Sequence, residues 1–132
     1  MKETYINRVL PGKFSINWFE DGILCGQFAP LLDLDLETVR TVIKDRKNFA
    51  GKNNYTLLVE ISNVKSISSE ARDYLASAEG TAHILAAAII TNSSFTRMIS
   101  NLFLSYNKPL VPTKLFSNRE EAKKWLQKYM LN

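Results

Sequence analysis

Cysteine and histidine are almost absent from this chain of 132 residues, which has one of each, Cys25 and His83. A single cysteine closes no internal disulfide, and one Cys with one His falls short of the ligand set of a zinc site. Glycine (5) and proline (4) are also scarce. None of the glycines forms a GxGxxG or Walker-type loop, so neither nucleotide cradle is written here. Long apolar runs are missing too. The longest spans 84–90, against the roughly 20 residues a membrane helix needs. The opening Met1 to Tyr5 leads into no apolar signal segment, so a cytoplasmic protein without a membrane span is expected. Two domains would have about 65 residues each, small enough to want staples that are not there. The expectation is one domain over 1–132, with 1–12 as an N-terminal extension.

What is present is ordinary for a globular fold: 45% hydrophobic and 23% charged residues, with a net charge of +4. Residues 1–107 carry 11 Lys/Arg and 11 Asp/Glu. The excess sits in the last 25 residues, where Lys108, Lys114, Arg119, Lys123, Lys124 and Lys128 outnumber Glu120 and Glu121. A basic segment can steer an anionic partner, and it is also what a solvated helix face looks like. No aromatic–basic interleaving or reader motif accompanies it, so nucleic acid is not an expected partner.

The hydrophobic pattern changes period along the chain. Phe14, Ile16 and Trp18 alternate with Ser15 and Asn17, which predicts a strand over 14–20. Asp21-Gly22 is a strong hairpin signal, and 23–28 returns as a second strand with Gly26 as a candidate bulge. Leu36, Val39, Val42, Ile43 and Arg46 share a helical stripe that Asp33 or Asp35 can cap and 51–54 can end. The apolar run 55–61 suits a strand covered on both faces. Ser68 or Ser69 caps a helix through Tyr74 and Leu75 toward Gly80. The segment 84–91 reads as a strand from its length and its flanking turn residues, although its alanines also suit a helix. Phe95, Met98, Ile99, Leu102, Phe103 and Tyr106 form a broad helical stripe ended by Pro109 and Pro112. A short strand at 113–116 follows. Ser117 and Glu120 then fit a capping box before a helix buried through Ala122, Trp125, Leu126 and Tyr129. The order β-β-α-β-α-β-α-β-α predicts an α/β fold with a single mixed five-stranded sheet.

Catalytic sets are thin. His83 precedes an apolar strand and reads as a packed or exposed loop residue rather than a triad member. Cys25 has no cationic neighbour in sequence to lower its pKa and reads as a small core residue. Glu60 stands inside an apolar strand. Burial there raises a carboxyl pKa toward acid–base use, whereas pairing with Lys65 or Arg72 at a solvated strand end makes it structural. No catalytic residue, metal site or cofactor is assigned, and a non-enzymatic protein is expected. Two loops stand out instead. Both 62–70 and 91–94 are rich in hydroxyls, follow strand carboxyl ends and lead into helix N-termini, which favour anions. A phosphate on such a serine would add about −1.5 to −2 charges. Helix capping alone also accounts for these residues.

The element order, with its opening hairpin, resembles the STAS family of sulfate-transporter domains and SpoIIAA-like anti-sigma-factor antagonists. In that family the third strand runs into a D-S-S-G type loop whose first serine is phosphorylated by a partner kinase. Here Ser68-Ser69-Glu70-Ala71 holds that place. Ser69 falls on the phosphorylated serine, while Ser68, Glu70 and Ala71 depart from the pattern. The stretch Phe116 to Leu126 is similar to the F-x-x-x-E-E-A-x-x-W-L finish of an uncharacterised bacterial SpoIIAA-like subgroup, often grouped with CRAL-TRIO-type lipid carriers. The stretch 64–80, with Ser69 to Ala76 inside it, and the segment 92–99 resemble the same subgroup, and the likeness covers 14–131. The leading expectation is a regulatory, protein-interaction module. Ser69 is its phosphorylation candidate, and Ser68, Glu70, Arg72, Asp73, Asn92, Ser94 and Arg97 are candidate partner contacts. The second expectation is a carrier of a lipid or small apolar ligand. It rests on the stripe of Phe95, Met98, Ile99, Leu102, Phe103 and Tyr106, which is wider than one face lying on a sheet; core packing and a homodimer surface are its other readings.

Overall fold

Asp21 and Gly22, at φ 52° and 81°, close a tight hairpin between β1 (Ser15–Glu20) and β2 (Ile23–Phe28). The computed structural model describes residues 14–130; the extension expected over 1–12 lies outside the described residues. After the hairpin come β3 (Asp33–Leu34), α1 (Leu36–Ala50), β4 (Tyr55–Glu60), β5 (Ser66–Ile67) and α2 (Ser69–Ala76). Then follow β6 (Ile84–Ile90), α3 (Ser94–Leu102) with a π-helical turn over Phe103–Asn107, β7 (Thr113–Phe116) and α4 (Arg119–Gln127). The main sheet runs β1-β2-β4-β6-β7. Only β1 is antiparallel to its neighbour. The segment 84–90 is thus a strand, and the five-stranded mixed sheet is the one expected.

The crossovers through α1, α2 and α3 all step the same way along the sheet, so these helices share one face and α4 covers the other. The two-residue alternation sorts the side chains accordingly. Ile23, Cys25, Leu58, Ala86 and Ala88 pack with Ala122 and Leu126 of α4. Leu24, Tyr55, Leu57 and Ala87 point the opposite way. A third cluster joins Val39 and Ile43 of α1 to Leu34, Ile61 and Ala71. Fully burying a leucine such as Leu58 is worth roughly 1.5–3 kcal/mol, so the clusters hold the layers together. Among the described residues no helix is long and apolar enough to cross a membrane.

Local departures from the sequence reading have local causes. Gly26 makes no bulge, because the β1–β2 register continues through Asn17↔Gly26 without a break. Strands β3 and β5 form a separate parallel pair with no counterpart in the hydrophobic pattern; two residues are too few to show a period. Asp33 therefore belongs to a strand, and Asp35 caps α1 by accepting the Thr38 N–H at 2.8 Å. Helix α2 stops at Ala76 instead of reaching Gly80. That glycine is packed so tightly that a Cβ would run into the Tyr74 carbonyl. The last helix is capped by Asn118, which accepts the Glu121 N–H at 3.1 Å, so the expected Ser117/Glu120 box is displaced by one residue.

Candidate functional site

The hydroxyl-rich loops gather at the carboxyl ends of β4 and β6. Asn92 N–H donates to Ser62 Oγ at 3.0 Å, tying the two loops together. Ser68 caps α2 through the Ala71 N–H at 3.1 Å, leaving Ser69 as the exposed first residue of the helix. Ser69 Oγ donates to Glu70 Oε1 at 3.0 Å. The backbone N–H of Glu70, and then this serine, hold the Glu70 carboxyl below its ordinary value. Ser93 caps α3, with Asn92 and Ser94 exposed beside it and Arg97 exposed on its first turn. Arg72 and Asp73 have a different occupation. Arg72 donates to Ile67 O at 2.9 Å and to Asn107 Oδ1 at 3.3 Å, and Asn107 Nδ2 donates to Asp73 Oδ1 at 2.6 Å. Together they grip the π-helical turn that prolongs α3.

That helix divides the broad apolar stripe between two environments. Ile99 is buried and Phe103 half-buried against the sheet side. Phe95, Met98, Leu102 and Tyr106 face outward, at 46%, 62%, 42% and 73% exposure. The last four are spaced to form one continuous ridge.

A polar hollow of about 320 Å³ opens at the strand ends on the α4 side, between Gln27, Glu60, Asn92, Ser117, Arg119 and Trp18. Glu60 meets Arg119 at 3.7 Å, so its cation comes from α4 and not from Lys65 or Arg72. Arg119 also bonds Glu20 at 3.0 Å and lies 3.4 Å from Cys25 Sγ, supplying the cationic neighbour that Cys25 lacks in sequence. Lys123 adds contacts to Glu20 at 3.0 Å and to Asp21 at 2.6 Å. The hydrogen bond from Arg119, against the opposing effect of burial and with help from Lys123, holds the Glu20 carboxyl at about 2, down from 4.5. Burial alone would push the Arg119 guanidinium down, but its bond to Glu20 keeps it above its ordinary value. The convergence of polar groups around Glu60 had no signal in the sequence, because the residues lining the hollow lie up to 101 positions apart. His83 is remote from this hollow. It sits exposed in the left-handed region, φ 69°, before the amino end of β6, its Nδ1 3.1 Å from Asn54 Oδ1.

The opposite face of the sheet carries a second space, a partly open apolar pocket of about 100 Å³ beneath α1, α2 and α3. Leu57, Val59 and Ala87 form its floor, and Leu75, Ile99 and Phe103 its helical walls. The small side chain of Ala87 leaves room where a leucine would fill it. Arg46 and Arg72 also line the cavity.

The mixed sheet, the one-sided crossovers and the loop-bearing rim define an α/β domain of SpoIIAA-like fold. An uncharacterised protein of the DUF3478 family from Shewanella loihica PV-4, with a SpoIIAA-like fold, matches at a TM-score of 0.60 and 14% identity. The match covers 83% of this chain and 90% of that one. The chain itself belongs to the family described as Domain of unknown function (DUF7793), whose model matches residues 17–130. No curated protein matches it.

Proposed function

We propose that this protein is a non-enzymatic, cytoplasmic interaction module of the STAS-like kind, docking a protein partner through the outer ridge of α3. The observation that supports this reading is the ridge itself. Phe95, Met98, Leu102 and Tyr106 form a contiguous apolar surface, and such surfaces mark interaction sites. Arg97 and Asn101 flank it and are exposed, fitting the polar rim of an interface.

Ser69 is the proposed switch. It is exposed at the start of α2, where the helix dipole favours a phosphate, and Arg72 stands one turn on. A phosphate that draws Arg72 away from Asn107 loosens the turn carrying Tyr106. The test is a photo-crosslinking residue placed at Met98 and, as a control, at Lys44, with adducts identified by mass spectrometry. One defined adduct, a partner or a second copy, is expected from Met98 only and should be lost in Leu102→Glu. Equal labelling from both positions would sink the reading. Phosphopeptide analysis after incubation with cell extract and ATP tests Ser69 separately; no phosphate there leaves the module without this switch.

A second reading, a carrier of a small apolar ligand, is favoured by one observation: the apolar pocket against Leu57, Ala87 and Ile99.

A further inference from the structure

Arg46 lies on the buried stripe of α1 and is only 6% exposed. Its Nε donates to Tyr55 Oη and its Nη2 to Gly80 O, both at 3.2 Å. Both acceptors are neutral. Among the described residues no carboxylate lies within 4 Å of this guanidinium. Of five N–H donors, two are used, and Nη1 makes no hydrogen bond to a described residue. A buried charge is ordinarily paired, because leaving water without a counter-charge is costly. This one lines the apolar cavity. Among the described residues the only other charged one in the cavity wall, Arg72, is also an arginine and bonds only neutral oxygens. The space is therefore greasy over most of its surface and positive at its charged points.

We propose that the cavity holds a small monocarboxylic acid, with its hydrocarbon body against Leu57, Ala87, Ile99 and Phe103 and its carboxylate on Arg46. This rests on the second reading above and gives that ligand a chemical class. Size sets the limit. An engineered apolar cavity of about 150 Å³ takes benzene, so about 100 Å³ suits a shorter hydrocarbon body of about four carbons. A planar guanidinium matches a carboxylate geometrically, and the pairing gains strength beside an apolar lining.

Pentanoate and pentan-1-ol are the probes, titrated by calorimetry into the wild type, Arg46→Gln and Ala87→Leu. Pentanoate is expected to bind the wild type more tightly than the alcohol. Arg46→Gln should weaken pentanoate at least about tenfold and leave the alcohol nearly unchanged. Ala87→Leu fills the space and should abolish both. If the wild type takes both probes equally and Arg46→Gln treats them alike, the carboxylate contact is wrong while the apolar reading stands. If neither probe binds at millimolar concentration, both fail. Should Arg46→Gln not fold, carbon-13 NMR of carboxyl-labelled pentanoate on the wild type decides the matter. A bound carboxylate on a guanidinium stays ionised to a lower pH than the free acid, and one that titrates at or above the free acid overturns the proposal.

Discussion

Replacing Glu20 with glutamine removes one charge from the network that fastens α4 to the opening hairpin, at almost constant shape. The carboxylate accepts four hydrogen bonds, from Trp18 Nε1 at 3.2 Å, Arg119 Nη2 at 3.0 Å, Arg119 Nε at 3.4 Å and Lys123 Nζ at 3.0 Å. Its pKa is lowered from 4.5 to about 2. At about 1.4 kcal/mol per pH unit, that displacement corresponds to roughly 3 kcal/mol as an upper bound. The side chain keeps 24% of its surface in water, and solvent screening brings the expected effect down to about 1–2 kcal/mol. The sign follows from the direction of the shift. A depressed carboxyl pKa stabilises the fold fully above the unfolded value and loses that contribution as pH falls from about 4.5 to about 2. Urea unfolding of wild type and Glu20→Gln should therefore differ by about 1–2 kcal/mol at pH 7 and converge toward pH 2. A gap that does not change with pH, or no gap at pH 7, refutes the ionic account.

Two further outcomes follow from single side chains. Thr56 is 2% exposed and its hydroxyl has no hydrogen-bond partner among the described residues, so Thr56→Val should raise the unfolding free energy by about 1 kcal/mol in chemical denaturation. Asn118→Ala should cost about 1 kcal/mol in the same assay, while Ser117→Ala should change little, because only Asn118 satisfies a helix N–H.

The sheet and its helices were legible because each has a period: alternation in β1, an unbroken apolar run in β4 and 3.6-residue stripes in α1 and α3. The pair β3–β5 was not legible, since Asp33–Leu34 and Ser66–Ile67 are too short to carry one. The choice between Ser117 and Asn118 as cap was beyond sequence too, because both residues cap well and the backbone decides. The width of the α3 stripe could be read, but not which residues faced out; Ile99 and Phe103 turned inward while Phe95 and Met98 did not. The network around Arg119 was invisible, as Glu20 lies 99 positions away. Arg46 was the missed signal. An arginine on an otherwise apolar helical stripe already marks a buried cation that needs an explanation.

Because α1, α2 and α3 all lie on one side, the other side of the sheet waits for the last helix to be made. On the ribosome, Leu58, Ala86, Ala88 and Ile90 are synthesised well before Ala122 and Leu126 exist to cover them. Until then the nascent sheet presents a bare, sticky surface of the kind that chaperones shield. Productive folding of this domain is thus committed late, and an early stop within 119–127 would yield an aggregation-prone product rather than a shortened but working one.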